Sequence, residues 1–177
     1  MKLLKSFILF VAFATLTSCS GDDETPVFEL TTENFTGTYA VTKLRGTNKT
    51  STTASGQTVD ISTESYEGDT FQLDLVLSTN GSFTYSGEYR EVAVTTLNNG
   101  SAPVQETSIE TENSSGTYTL DTLNRRVTFT DTNTGVINGI FEITSFTANT
   151  LVLSKEAEAT DNQITTTEEI TITFERQ

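Results

Sequence analysis

From about Val27 onward the chain alternates apolar and polar side chains with a period of two, the spacing of strands with one face buried. Phe71, Leu73, Leu75 and Leu77 alternate with Gln72, Asp74 and Val76 and mark the clearest core strand. Ser78-Thr79-Asn80-Gly81 follows, and its Asn-Gly pair predicts a type I′ turn, which needs two residues at positive φ. The return strand sets Phe83, Tyr85, Gly87 and Tyr89 on one parity, so residues 71–90 read as one hairpin. Residues 117–120 and 127–130 predict a second hairpin, and residues 140–146 with 151–155 a third. Tyr39 and Val41 open a first strand, Val59 and Ile61 belong to another, and Ile164, Ile170, Ile172 and Phe174 share one parity of the last. Residues 31–35 allow one helical turn with Thr31 or Thr32 as N-cap, ended by Gly37. Segments 97–114 and 156–165 are polar and are expected to be long loops. Eight or nine strands with short connections and no long helix predict an all-β fold, an antiparallel up-and-down barrel in which closure removes the exposed edges.

Composition sharpens this picture. Only 34% of the 177 residues are hydrophobic, below the globular average of roughly 45–50%. Thr accounts for 37 residues, and its β-branched side chain favours strands over disorder. With 24 acidic and 10 basic residues the net charge is −14, which would repel a nucleic-acid backbone. There is no His and one Cys, so three-His and four-Cys metal sites and Ser-His or Cys-His nucleophile pairs are excluded. No Gly-x-Ser-x-Gly motif occurs, and neither an enzyme nor a cofactor is called for.

The first residues read as an address. Lys2 and Lys5 precede an apolar run from Phe7 to Leu16, long enough for a signal peptide and too short to span a bilayer. It ends in Leu16-Thr17-Ser18-Cys19, which resembles the lipobox of bacterial lipoproteins. That resemblance implies cleavage of residues 1–18, acylation of Cys19 and a membrane anchor of several acyl chains. Eight basic against 24 acidic residues, −16, would remain. Gly21-Asp22-Asp23-Glu24 follows and is similar to the surface-export signal of Bacteroidetes lipoproteins. Residues 19–29 are expected to be an acidic tether, and the resemblances imply an outer-membrane, cell-surface protein.

Asn34-Phe35-Thr36-Gly37-Thr38-Tyr39-Ala40-Val41 resembles the opening of a lipocalin, a short turn and then Gly-x-aromatic entering the first strand, with Tyr39 where lipocalins usually carry Trp. Residues 141–146, 149–154 and 170–176 are similar to the lipocalin-like domains of Bacteroidetes lipoproteins. The resemblance covers most of residues 30–177 and implies a lipocalin-like barrel without catalytic residues. It also implies that Arg176 packs across Tyr39 and closes the barrel base.

A barrel of about eight strands is either filled or holds one small ligand. The expected interior is Tyr39, Val41, Phe71, Leu73, Leu75, Phe83, Tyr85, Tyr89, Tyr118 and Phe129, an apolar wall with polar tips that suits a small apolar or amphipathic molecule. The same set also suits a filled core, with the loops binding a glycan or a protein partner instead. Both polar loops lack Phe, Tyr and Trp, which counts against glycan stacking. Asp60, Glu64, Glu67, Asp69 and Asp74 cluster near the second and third strands, but no Asp-x-Asp-x-Asp-Gly loop organises them for Ca²⁺. Asp121-Thr122-Leu123 resembles a Bacteroidetes O-glycosylation acceptor at Thr122. A monomer is expected.

Overall fold

The computed structural model describes residues 28–132 and 135–177; the signal segment, Cys19 and most of the tether lie outside the described residues. A short helix, α1 (Thr32–Phe35), precedes eight strands: β1 (Gly37–Ala54), β2 (Gln57–Leu77), β3 (Ser82–Leu97), β4 (Val104–Asp121), β5 (Arg126–Asp131), β6 (Gly139–Phe146), β7 (Thr150–Asp161) and β8 (Ile164–Arg176). Each strand pairs with its sequence neighbours, and β8 pairs with β1 to close the barrel. The up-and-down topology is the one the alternation predicts.

Two expectations need correction. Residues 104–114 belong to β4 rather than to a loop, and residues 156–165 are the arms of the β7–β8 hairpin around Asn162 and Gln163. Their few large apolar residues, Val104, Ile109 and Ile164, are isolated and exposed, so no apolar alternation marks them. They are strands because their neighbours supply a complete hydrogen-bond ladder: β3 pairs with β4 from Ser82↔Thr117 to Thr95↔Val104. The turn at 78–81 also differs. Gly81 has φ +80 but Asn80 is not at positive φ, and Gly81 N–H donates to the Ser78 carbonyl, so the loop has four residues. Two-residue turns with paired positive φ occur instead at Ser55-Gly56 and Asn162-Gln163.

The strands are unequal, and this decides the shape. β5 has 6 residues and β2 has 21. β4 pairs with β5 only from Gly116 to Asp121, and β7 pairs with β6 only from Leu151 to Ser154. The ring is therefore complete over a few rows. Above them β4-β3-β2-β1-β8-β7 continue as a six-stranded wall. At about 3.3 Å per residue, the ten residues of β1 beyond Leu44 rise roughly 30 Å. Residues 104–112 of β4 and 155–161 of β7 are the wall's free edges among the described residues.

The complete rows are filled. Leu75, Phe83, Phe129, Phe141, Leu151, Ile172 and Phe174 are buried there. Phe129 meets Phe83 and Phe141 edge-on, with ring centroids at 5.0 and 5.9 Å. Phe35 of α1 plugs the base against Tyr118 and Phe146. From above, the β5–β6 connection folds inward and buries Ile137 completely.

Arg176 latches the base. Its guanidinium carbon lies 4.7 Å from the centroid of the Tyr39 ring. Nη1 donates to the Thr36 carbonyl at 2.7 Å, and Nη2 donates to the Asn34 carbonyl and the Tyr39 hydroxyl. Tyr39 in turn donates to the Phe35 carbonyl at 2.9 Å. Gly37, at φ +146, makes room: a Cβ there would stand 2.6 Å from Nη1. The last strand, the first strand and α1 thus share one guanidinium, as the resemblance implies.

Arg176→Ala is expected to cost about 2–4 kcal/mol, since it leaves the Thr36 and Asn34 carbonyls without this donor, takes one of the two hydrogen bonds of the Tyr39 hydroxyl and removes the cation–π contact. Lys at 176 restores little, because an ammonium lacks the planar fork. In a double-mutant cycle by urea denaturation, Arg176→Ala with Tyr39→Phe should show coupling of about 1 kcal/mol or more. Additivity of the two would refute the latch.

Candidate functional site

Counting outward in twos from the core places the inward side chains of the wall. On β3 the parity of Phe83 and Tyr85 leads to Tyr89 and then Glu91. On β4 the parity of Tyr118 leads back through Ser114 to Glu112 and Glu110. On β8 Ile170 leads to Glu168, and on β7 Leu153 leads to Lys155. A bulge between Asp69 and Gln72 shifts the parity of β2, so Tyr66 and Glu64 also face inward, opposite Gly46 and Asn48. The bulge holds Thr70 at φ +54, an unfavourable conformation for a β-branched residue. Burial agrees: Glu64, Tyr66, Glu91, Glu110, Glu112 and Glu168 are half-buried, while Ser65, Glu67, Arg90, Thr111, Asn113 and Glu169 between them are exposed.

The inner wall is thus aromatic and acidic. Tyr66 lies across Gly46, where a Cβ would come within 2.3 Å of the phenol, so this glycine exists to seat the ring. Phe71 and Tyr89 stack with centroids 5.9 Å apart. Tyr89 donates to a Glu91 carboxylate oxygen at 3.3 Å, and Asn48 Nδ2 donates to Glu64 at 3.2 Å. Lys155 pairs with Glu168 at 2.9 Å, its ammonium 5.5 Å from the Phe141 ring centroid and its side chain 13% exposed. Five carboxylates therefore face one ammonium. Glu91 is pushed above the ordinary value of 4.5, first by desolvation and then by Glu110 and Glu64, against the pull of the Tyr89 hydroxyl. Glu112 is pushed the same way, first by desolvation and then by Glu110, Asp131 and Glu91, partly offset by the Val136 amide. Desolvation, with Glu168, Glu91 and Glu64 nearby, moves the Tyr66 phenol up to about 12. Tyr85 stands beneath this group, 0% exposed, its hydroxyl without a hydrogen-bond partner and near enough to feel Glu112 and Tyr89.

The interior residues expected from sequence divide in two. Tyr39, Val41, Leu73, Leu75, Phe83, Tyr118 and Phe129 belong to the packed core, where Tyr39 and Tyr118 spend their hydroxyls on the Phe35 and Ser78 carbonyls. Tyr85 and Tyr89 are also buried core residues, at its upper end, and the partly buried Phe71 packs on Tyr89 where the core meets the inner wall. Sequence reasoning did not single out Glu91, Glu110, Glu112, Glu168, Lys155 or Tyr66 as a site, although parity from the core residues finds all but the bulge-shifted ones. The β2 acids scatter: Asp60 pairs with Lys49 and Asp69 with Arg90 on the outside, and Asp74 accepts from the Gln177 amide. Among the described residues no group of three or more acids is placed to hold a metal ion. Thr122 sits in an exposed turn at the closed end beside Leu123, which is 93% exposed. A hollow of about 650 Å³ lies along the free edge of β7, lined by Lys155 and Ile170 as well as by Arg126 and Glu142, an exposed pair already satisfied by each other.

The raised carboxyls set a pH dependence of stability. The native state holds these protons more tightly than the unfolded chain, so the contribution is full below the unfolded value and is lost as pH rises through the folded one. Glu91→Gln with Glu112→Gln should therefore melt higher than the parent at about pH 7.5 and no differently at about pH 4. A variant that melts lower at the neutral end would contradict the burial argument. Tyr85→Phe removes a buried hydroxyl that has no partner and is expected to gain about 1 kcal/mol in urea denaturation; a loss would place an ordered water on that hydroxyl.

No protein-family model matches the chain, and no curated protein does. Among solved structures it is similar to the crystal structure of Ail, the attachment invasion locus protein of Yersinia pestis, with 7% identity over 80% of this chain and 99% of that chain, at a TM-score of 0.26. An overlap that loose carries nothing over to this chain.

Proposed function

We propose that the mature chain is a lipocalin-like lipoprotein, anchored through acylated Cys19 in the outer membrane at the cell surface, which binds a small amphipathic ligand and catalyses nothing. The observation that carries this reading is the contrast between the two halves of the barrel. The floor is packed with rings and buries Ile137, while the wall above it gathers five half-buried carboxylates around one ammonium, with the unpartnered Tyr85 hydroxyl buried beneath. Half-buried like charges and an unpartnered hydroxyl lower stability, and their concentration on one face supports reading it as a binding surface. The ligand's place is thus the inner wall above the core. The free edges of β4 and β7 carry Glu106, Glu110, Glu112, Glu156 and Glu158, which resist pairing with a second copy and support a monomer.

A native mass spectrum tests this. The chain from residue 19, with Cys19→Ser to prevent acylation, is purified under gentle conditions and sprayed intact. The expected result is an adduct of a few hundred daltons, lost on activation, as one small ligand in a barrel mouth would give. A clean apo mass, together with no amide shifts on β3 and β4 when an outer-membrane lipid extract is added, would refute the ligand reading. A protein partner adding a strand to the free β4 edge is the second reading. Protection of amides 104–112 from exchange by a protein fraction, without any small-molecule adduct, would select it.

A further inference from the structure

The inner wall also limits what the ligand can be. Glu91, Glu110 and Glu112 lie on two adjacent strands, with the half-buried Tyr66 ring beside them, Tyr89 buried beneath, and Glu64 and Glu168 completing the acidic face. Lys155 is the cation that faces them among the described residues, and Glu168 already holds it. Asn48, Tyr89, Ser108, the Val136 amide and Lys155 each donate to one of the five carboxylates, yet only Lys155 brings a positive charge, so the face keeps spare acceptor positions and an excess of negative charge. The Tyr85 hydroxyl, buried and unpartnered beneath it, is a second and independent sign that something polar is missing.

We infer that the group recognised there is an organic cation, an ammonium on an apolar stem, seated against the half-buried Tyr66 ring and the carboxylates of Glu91, Glu110 and Glu112. The inference rests on the inner wall being the ligand site. An ammonium has three donors and no acceptor, the complement of this surface. Aromatic faces hold such a cation, and more strongly where water is displaced. A carboxylate ligand would meet five like charges. A bare divalent ion would need several oxygens converging at about 2.3–2.6 Å, whereas here the acids are spread over four strands with rings between them. The stem would lie toward Phe71 and the packed floor, which supplies the apolar contact. Binding would restore the charge balance that burial denies Glu91 and Glu112, so it would release protons and strengthen as pH rises from acid to neutral.

The test uses three probes with one stem: octylammonium, octanoate and octanol, each titrated into the chain from residue 19 carrying Cys19→Ser and followed by amide chemical shifts. Octylammonium is expected to bind at least about tenfold more tightly than either analogue, a difference of about 1.4 kcal/mol. Glu91→Gln with Glu112→Gln should erase that preference without loss of fold, because the same variant is expected to melt no lower than the parent. Equal binding of the three, or tighter binding of octanoate, overturns the cation inference and leaves the ligand reading standing. Binding of none overturns both. Ca²⁺ moving the Glu91, Glu110 and Glu112 amides at lower concentration than octylammonium would also overturn it, in favour of a metal site.

Discussion

A ring of paired strands is only as tall as its shortest member. β5 offers six residues, and that one length divides the molecule. Within its rows every strand has two neighbours, every inward side chain is surrounded, and the interior is filled by Phe, Leu and Ile. Above them the sheet has two ends, the concave face is reached from the side, and its residues are half-buried. Such a face tolerates polar groups that a complete barrel would not, since partial hydration offsets part of the desolvation cost. The Arg176 latch belongs to the same logic. It ties the last strand to the first where the ring is complete, and so fixes the floor from which the wall rises.

Much of the fold was legible in sequence wherever a core exists to enforce alternation. The hairpin at 71–90, the pair of strands around 121–125 and the last strand follow from apolar residues spaced in twos. Residues 104–114 and 156–161 were not legible as strands, because a strand in an open wall has no apolar face to advertise it; only the ladder beside it makes it one. Ile137 was hidden for the opposite reason. It is an apolar residue in a connection, and its burial depends on how that connection folds back over the core. The clue was the Val136-Ile137 pair between glycines, too short to have any period.

The site was half legible. Parity carried from Tyr85 reaches Glu91, and parity from Tyr118 reaches Glu112 and Glu110, so simple counting finds three of the acids. Tyr66 and Glu64 could not be counted from Leu73 and Leu75, because the bulge at Thr70 inverts the parity between them. A bulge is set by backbone strain that no side-chain pattern records; here the strained residue is a Thr, in a position that Gly or Asn would ordinarily fill.

That bulge shows how the sequence trades stability for a surface. Without it β2 would present its outer parity to the barrel, turning Glu67 and Ser65 inward and moving Tyr66 away from Gly46. With it, the chain accepts an unfavourable φ at Thr70 and a glycine at 46 in the middle of a long strand, beside carboxyls on β3 and β4 whose protons are held above their usual range. Gly46 does seat the Tyr66 ring, but a strained φ, a glycine within a strand and raised carboxyls each work against the folded state. Their shared consequence is to set rings and acids side by side on one half-buried face. The three costs meet on one half-buried face, so the acidity of the wall belongs to the geometry of the open barrel and not to solubility alone.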